Sequence, residues 1–285
     1  MLTLKTFRKF GLTADPFSGD VVKAEDVYLT EDTRFIAEYI LQSAKAGGMV
    51  ALVGESGSGK TTIRRYAIDR MTAEGQKVRV IAPRSIDKTR LATGGICDAI
   101  INDCSTEAPK RTMEAKARQI ERILTHSSRA GWSHVLMIEE AHDLNINTLK
   151  YLKRFWELED GYKKLLSIVL IGQIEMKAKL DESKNWEARE VIRRMEVLEL
   201  EPLGSGKEIA NYLDIKFGRL GKKRADIISD SGCEALATKL KRQTRTGLVY
   251  SVAWPLLINN WCMKAMNEAC ELNAKCVDAE VVNTL

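Results

Sequence analysis

The spacing of apolar residues along this chain changes period repeatedly, and each change marks an element. Residues 49–53 are an unbroken apolar run stopped by Gly54, the pattern of a strand buried on both faces. Further strands are read at 78–82, 134–138, 165–171 and 196–200, less uniformly apolar than the first. Between them, apolar residues recur at helical intervals, predicting helices from the low thirties to Gly47-Gly48, from Lys60 to about Gly75, and near 89–102, 112–129 and 145–159, with a helical pair near 174–194. In the first of these, which Thr30 or Asp32 can cap, Phe35, Ile36, Tyr39 and Ile40 form the apolar stripe. Strands alternating with helices of this length need crossover connections, hence a parallel sheet with helices on both faces.

The texture changes at Pro202 and Gly204. Beyond them only helices are expected, at 205–220, 229–243, 248–272 and 278–284, and Trp254 and Trp261, seven apart, read as a buried stripe on the third. Residues 1–30 are mixed, with Phe10, Pro16 and Phe17 in a loop that packs onto something. The expected fold is α/β: a five-stranded parallel sheet covered on both faces, followed by a small all-helical tail, with divisions at 1–30, 31–203 and 204–285.

Composition narrows the class without naming a function. At 285 residues, 45% hydrophobic and 29% charged, the chain has the make-up of a soluble globular protein. Its longest apolar runs are far too short to span a bilayer, and its first residues lack the apolar core of a secretory signal, so a cytosolic protein is expected. The six cysteines show no CxxC spacing and no paired histidines, which points to buried reduced thiols rather than structural zinc. Residues 204–245 carry ten Lys/Arg against five Asp/Glu, an excess equal to the whole net charge of +5. That stretch is either a patch for a polyanion or a solvated helix face.

Specific chemistry begins at Gly54-Glu-Ser-Gly-Ser-Gly-Lys60-Thr61, a full G-x-x-x-x-G-K-[ST] phosphate loop following a β-like run and opening a helix. Its glycines let successive N–H groups turn inward onto phosphate oxygens, and the helix adds its positive end. Gly54, Glu55, Ser56, Gly57, Ser58, Gly59, Lys60, Thr61 and Thr62 are therefore expected around ATP, with Lys60 at the β- and γ-phosphates and the Thr61 hydroxyl on Mg²⁺. The run 135–138 ends in Glu139-Glu140, where a parallel sheet brings carboxylates beside such a loop. Glu139 is assigned to the metal and Glu140 to activation of the attacking water; the plain alternative is that both acids favour the start of the next helix. His142 reads as a surface residue at that helix start. Gln173, after the run ending at Gly172, either touches the γ-phosphate or begins the next helix. Arg189, Arg193 and Arg194 stand before the last strand, as a basic helix end or, in an assembly, as a source of a trans arginine, with Arg193 and Arg194 leading.

Several of these features together resemble the AAA+ ATPases of the ExeA/Mu B/TnsC/TniB group. They are Phe10-Gly-Leu-Thr-Ala-Asp-Pro16-Phe17 with Tyr28-Leu29, the phosphate loop, Ile138-Glu-Glu-Ala-His142, Ile168-Val-Leu-Ile-Gly-Gln173, and Arg193-Arg194 before a strand running into Glu201-Pro202-Leu203. The resemblance covers roughly residues 7–265. It implies an AAA+ P-loop NTPase core and a helical lid, with ATP and Mg²⁺ between neighbouring subunits and Phe17 near the adenine. The transposition members of the group assemble with themselves on double-stranded DNA when ATP is bound, recruit a transposase and disassemble on hydrolysis. Two departures stand out. Gly247-Leu-Val-Tyr250 lacks the sensor arginine of the group's lid, leaving Arg245 as the nearby substitute, and Glu139 replaces the usual Asp.

Lys88 and Arg90, in the basic stretch after the second strand, resemble DNA-tracking positions of the transposition ATPases, and Lys110-Arg111 can join them; each is equally readable as surface charge. The function expected is a DNA-binding AAA+ ATPase that regulates transposition. Its alternatives are an ExeA-like secretion-assembly ATPase and a small-molecule kinase.

Overall fold

A computed structural model of the chain describes residues 1–19, 23–83 and 91–285. They divide into two compact units: a sheet unit of Asp32–Ser56 and Ile63–Leu200, and a terminal unit of Met1–Glu31, Gly57–Thr62 and Glu201–Leu285.

The sheet unit is built on β1 (Met49–Val53), β2 (Val78–Ile81), β3 (Ser133–Ile138), β4 (Ser167–Gly172) and β5 (Glu196–Glu199). These form one parallel sheet in the order β2-β3-β4-β1-β5. Every residue of β1 and β4 is buried, and all are apolar except Ser167, whose hydroxyl donates to the Ala44 carbonyl; flanking helices supply the cover. The core joins Val53, Ile81, Leu136, Ile138 and Leu170 to Ile96, Ile100, Ile120, Leu124 and Leu152 of the helices. Register pairs Val53 with Gly172, and Ile138 with Leu170, so β1, β3 and β4 end at one edge.

The terminal unit packs α1 (Leu4–Phe10) with helices that follow residue 205, and α2 (Glu31–Ala46) and α3 (Lys60–Ala73) lead into and out of β1. In the sheet unit come α4 (Thr93–Cys104), α5 (Met113–Arg129) and α6 (Ile146–Trp156), and in the terminal unit α7 (Gly206–Gly218), α8 (Asp230–Lys239), α9 (Pro255–Glu271) and α10 (Ala279–Asn283). The terminal core gathers Phe10, Leu213, Phe217, Leu236, Ile258, Cys262 and Met266.

Several expectations are corrected. Residues 4–10 are helical, capped by the Thr3 hydroxyl and ended by Gly11 in the left-handed region. The buried stripe of α2 is Ile36, Ala37, Ile40, Leu41 and Ala44, whereas Phe35 is 62% exposed and stacks only on Tyr39. The helical pair before β5 shrinks to two four-residue turns, Met176–Lys179 and Arg189–Ile192.

The tail is not all helical either. Residues predicted to end one helix and begin the next instead form an antiparallel hairpin, Lys241–Gln243 with Val249–Ser251. α9 begins only at Pro255, whose missing N–H and fixed φ suit a first helical turn, and Trp254 is its N-cap rather than part of a helical stripe. Cys97, Cys104, Cys233 and Cys262 are buried; Cys270 and Cys276 are partly exposed.

Candidate nucleotide site

The phosphate loop leaves the end of β1 as expected of its sequence. Gly57 and Gly59 have φ of +75° and +100°, which L side chains avoid, so the chain curls there at little steric cost. Ser58 is 9% exposed, and its buried hydroxyl has no hydrogen-bonding partner in the protein. A buried, unpartnered hydroxyl in a loop of this shape fits an oxygen-rich ligand such as a triphosphate. Glu55, Ser56 and Thr61 are exposed, and α3 starts at Lys60.

Within the terminal unit, the Leu256 N–H donates to the Gly57 carbonyl over 3.3 Å, and a Cβ at Gly57 would lie 2.5 Å from Leu256 Cβ. The residue presented to the loop by the start of α9 is therefore apolar. Arg245, the expected substitute for the sensor arginine, sits instead in the exposed turn of the hairpin. The signal for this was Pro255, whose preference for the first helical turn places Leu256 at the helix start.

At the sheet edge, β3 stands one strand away from β1, about 10 Å between axes at the usual strand spacing. Glu139 follows its last residue and meets Arg64 of α3: Arg64 Nε and Glu139 Oε1 are 2.6 Å apart and out of solvent contact, an ion pair without hydrogen-bond geometry. Arg64 is four residues beyond Lys60, hence on the same face of α3 one turn on; that spacing was the available signal, and sequence reasoning passed over it. Glu140 takes φ 51° and ψ 38°, a left-handed conformation unusual for a side-chain-bearing residue, and turns the chain into a 3-10 turn, Ala141–Asp143.

His142 is not a surface residue. Its ring is largely buried, with Nδ1 3.4 Å from Glu140 Oε2 and 3.4 Å from the Gln173 backbone nitrogen, whose N–H donates to it. The turn carrying it is held by Lys179, whose ammonium donates to the His142 carbonyl and, over 2.7 Å, to that of Leu144. Gly172 makes room for this arrangement: a Cβ there would stand 3.1 Å from the His142 backbone nitrogen and 2.8 Å from Met176 Sδ. The structure thus brings Glu139, Glu140, His142 and Gln173 together at the ends of two adjacent strands.

The other candidates lie apart from this group or are occupied. Arg193 pairs with Glu182 through two hydrogen bonds, and Arg194 donates to the Glu190 carbonyl and lies 5.7 Å over the Trp156 ring. In the terminal unit, Phe17 stacks edge-on against Phe217, with ring centroids 5.7 Å apart. Lys110 and Arg111 are exposed before α5; Lys88 and Arg90 lie outside the described residues. Among the described residues, no group of three His, Cys, Asp or Glu side chains could cage a metal.

Comparison with known proteins places this geometry. Residues 43–180 match the family model of the AAA domain. A stretch of 174 residues, 60% of this chain, is 30% identical to General secretion pathway protein A of Aeromonas hydrophila and spans 30% of that protein's length. Among solved structures, Cdc6p from Pyrobaculum aerophilum aligns with a TM-score of 0.60 at 15% identity, over 93% of this chain and 68% of that one. The ADPNP–ADP form of Aeropyrum pernix ORC2 gives 0.56 at 15% over 95% and 70%, and the Drosophila ORC bound to DNA gives 0.59 at 15% over 98% and 64%. At such identities the likeness is one of fold. No helix among the described residues is long and apolar enough to cross a membrane. Residues 43–180 thus resemble the AAA domain, and the chain shares the fold of these solved structures.

Proposed function

We propose that this protein is an ATPase that assembles with itself on duplex DNA in its ATP-bound state and regulates transposition by marking a target and recruiting a transposase. The observation that carries the ATPase part is the phosphate loop closing β1, with Glu139 and Glu140 closing β3 at the same edge of one parallel sheet. In this reading Lys60 and the loop amides hold the phosphates, and Thr61 and Glu139 face Mg²⁺, which when bound neutralises phosphate charge. Glu140 orients the attacking water, and His142 links it to Gln173, so that a change at the γ-phosphate is felt along β4. Arg193 is the leading trans arginine: its partner Glu182 is a surface carboxylate, and exposed pairs of that kind are weak enough to be exchanged. Phe17 would meet the adenine, and Lys88, Arg90, Lys110 and Arg111 the DNA backbone.

The DNA part is supported by the resemblance of the sequence to transposition ATPases and by the shared fold with an ORC structure described as bound to DNA. The similarity to General secretion pathway protein A favours a second reading, an ATPase serving secretion. Phosphate release measured with and without duplex DNA separates the two. Stimulation by DNA, together with ATP-dependent filaments or rings on it in electron micrographs, is the expected result; ATPase activity indifferent to DNA and no assembly would defeat the transposition reading.

A further inference from the structure

The hairpin of the terminal unit is built unlike anything around it. All ten residues from 241 to 250 are exposed, including Leu248 at 67%, Val249 at 57% and Tyr250 at 47%. It is nonetheless well defined. Thr244 N–H donates to the Leu248 carbonyl and Leu248 N–H to the Thr244 hydroxyl, while at the base Val252 N–H reaches the Leu240 carbonyl over 2.7 Å. A two-stranded ribbon with no covered face has little to hold it on its own, so its retention in this form needs a reason outside local packing.

Its charge is as one-sided as its exposure. Residues 235–267 contain five Lys/Arg and no Asp or Glu. Lys241, Arg242 and Arg245 form no ion pair among the described residues. The register puts Arg242 opposite Tyr250 on one face and Lys241 opposite Ser251 on the other, with Arg245 in the turn. Cations therefore mark both faces and the tip.

We propose that this hairpin is a nucleic-acid-binding ribbon that enters the major groove of duplex DNA, with Lys241, Arg242 and Arg245 on the phosphates. The B-form major groove is about 12 Å wide and admits a two-stranded β-ribbon, and long cationic side chains on it reach the flanking phosphates. Gln243, Thr244 and Thr246 spend their side chains within the hairpin, on the Gly247 carbonyl and on each other, which keeps the turn in shape and leaves the cations to face outward. A lipid surface suits the ribbon less well, because insertion would bury the charged turn at Arg245 ahead of Leu248 and Val249. The inference shares only its polyanion partner with the proposed function and requires neither nucleotide nor assembly.

The test is fluorescence anisotropy of the full chain with a labelled 30-bp duplex, without nucleotide, over a series of salt concentrations. Replacing Lys241, Arg242 and Arg245 together by alanine should weaken binding by ten- to a hundredfold at 0.1 M salt. It should also flatten the plot of log K against log salt by about 2 to 3, close to one contact per cation removed. Because Arg242 also donates to the Lys239 and Lys241 carbonyls at the end of α8, the Lys241→Ala, Arg245→Ala pair serves as a second variant, with an expected slope change of about 2. Arg245→Lys should keep the slope. An RNA duplex of the same sequence, whose major groove is too narrow and deep to enter, should show little dependence on these residues.

Unchanged affinity and slope in both variants would overturn the inference. So would a loss seen only on phosphatidylserine vesicles, or one reproduced in full by Lys110→Ala with Arg111→Ala. Hairpin-dependent binding without ATP-dependent assembly would leave the ribbon standing while the transposition reading fell.

Discussion

Charge is managed in opposite ways at the strand-end edge of the sheet unit and in the hairpin of the terminal unit. At the edge, Arg64 meets Glu139, Lys177 meets Glu199, and Lys179 is spent on two backbone carbonyls. In the hairpin, three cations meet no carboxylate among the described residues. An internally matched charge fixes the position of a side chain and adds little to the field felt outside; an unmatched cluster carries repulsion that only an external polyanion relieves. The first arrangement suits chemistry on a ligand that brings its own metal, and the second suits adhesion to something long and negative. Each prediction below attacks one side of this contrast and expects the other to stay unmoved.

The largest effect is expected at Glu140. Glu140→Gln keeps the shape but removes the base, and phosphate release should fall about a thousandfold with nucleotide affinity nearly intact. Hairpin-dependent duplex binding should not change. If hydrolysis survives, Glu140 is a turn residue and nothing more. Lys60→Ala comes next: losing charge-assisted bonds to two phosphates should cost roughly a hundredfold in affinity for a fluorescent ATP analogue, again with nucleotide-free DNA binding preserved. Undiminished affinity would remove the phosphate site and every inference drawn from it.

A third comparison uses acid. His134 on β3 is 2% exposed, donates from Nδ1 to the Leu165 carbonyl at 3.1 Å, and accepts from the Ser127 hydroxyl at 2.8 Å, which is the neutral ring. Burial pushes its pKa down to about 4 from an ordinary 6.5. The unfolded chain therefore takes up the proton first, so stability falls as pH drops from about 6.5 and levels off below about 4. The full shift corresponds to about 3 kcal/mol. Urea unfolding at pH 7 and pH 4.5 should show His134→Asn, which keeps an N–H for Leu165 but cannot ionise, losing clearly less than the parent. Parallel losses would contradict the assignment.

How much of this was legible depended on whether burial was continuous. β1 and β4 are buried at every position, and a five-residue apolar run ending in glycine can hardly be anything else. The phosphate loop and the Glu139-Glu140 pair were readable because chemistry constrains both residue type and spacing. The hairpin was missed because Lys241, Gln243, Val249 and Tyr250 alternate no hydrophobic face; all are exposed, so period 2 leaves no trace. Phe35 shows the converse: it sits at a plausible helical interval yet is exposed, while Ala37 and Ala44 are buried beside Ile36, Ile40 and Leu41. The contacts of His142 with Gln173 and of Arg64 with Glu139 join residues thirty or more apart; only the four-residue step from Lys60 hinted at Arg64.

The smallest effect expected, and the one that bears most directly on the contrast, is at Arg64. If charge at the sheet edge is matched in order to position a carboxylate, the guanidinium 2.6 Å from Glu139 is part of the metal site's electrostatics. A fixed cation there disfavours a second one, so Arg64→Gln should lower the Mg²⁺ concentration for half-maximal phosphate release by roughly three- to tenfold, a change worth about 1 kcal/mol. The length of the Glu139 side chain is then the counterpart of Arg64, since it lets one oxygen reach the guanidinium one turn along α3. Glu139→Asp should draw the carboxylate back from Arg64 and move the Mg²⁺ midpoint the same way, and the double variant should add little to either single one. Additive shifts would mean that Arg64 and Glu139 act separately, and that the edge is matched only by coincidence.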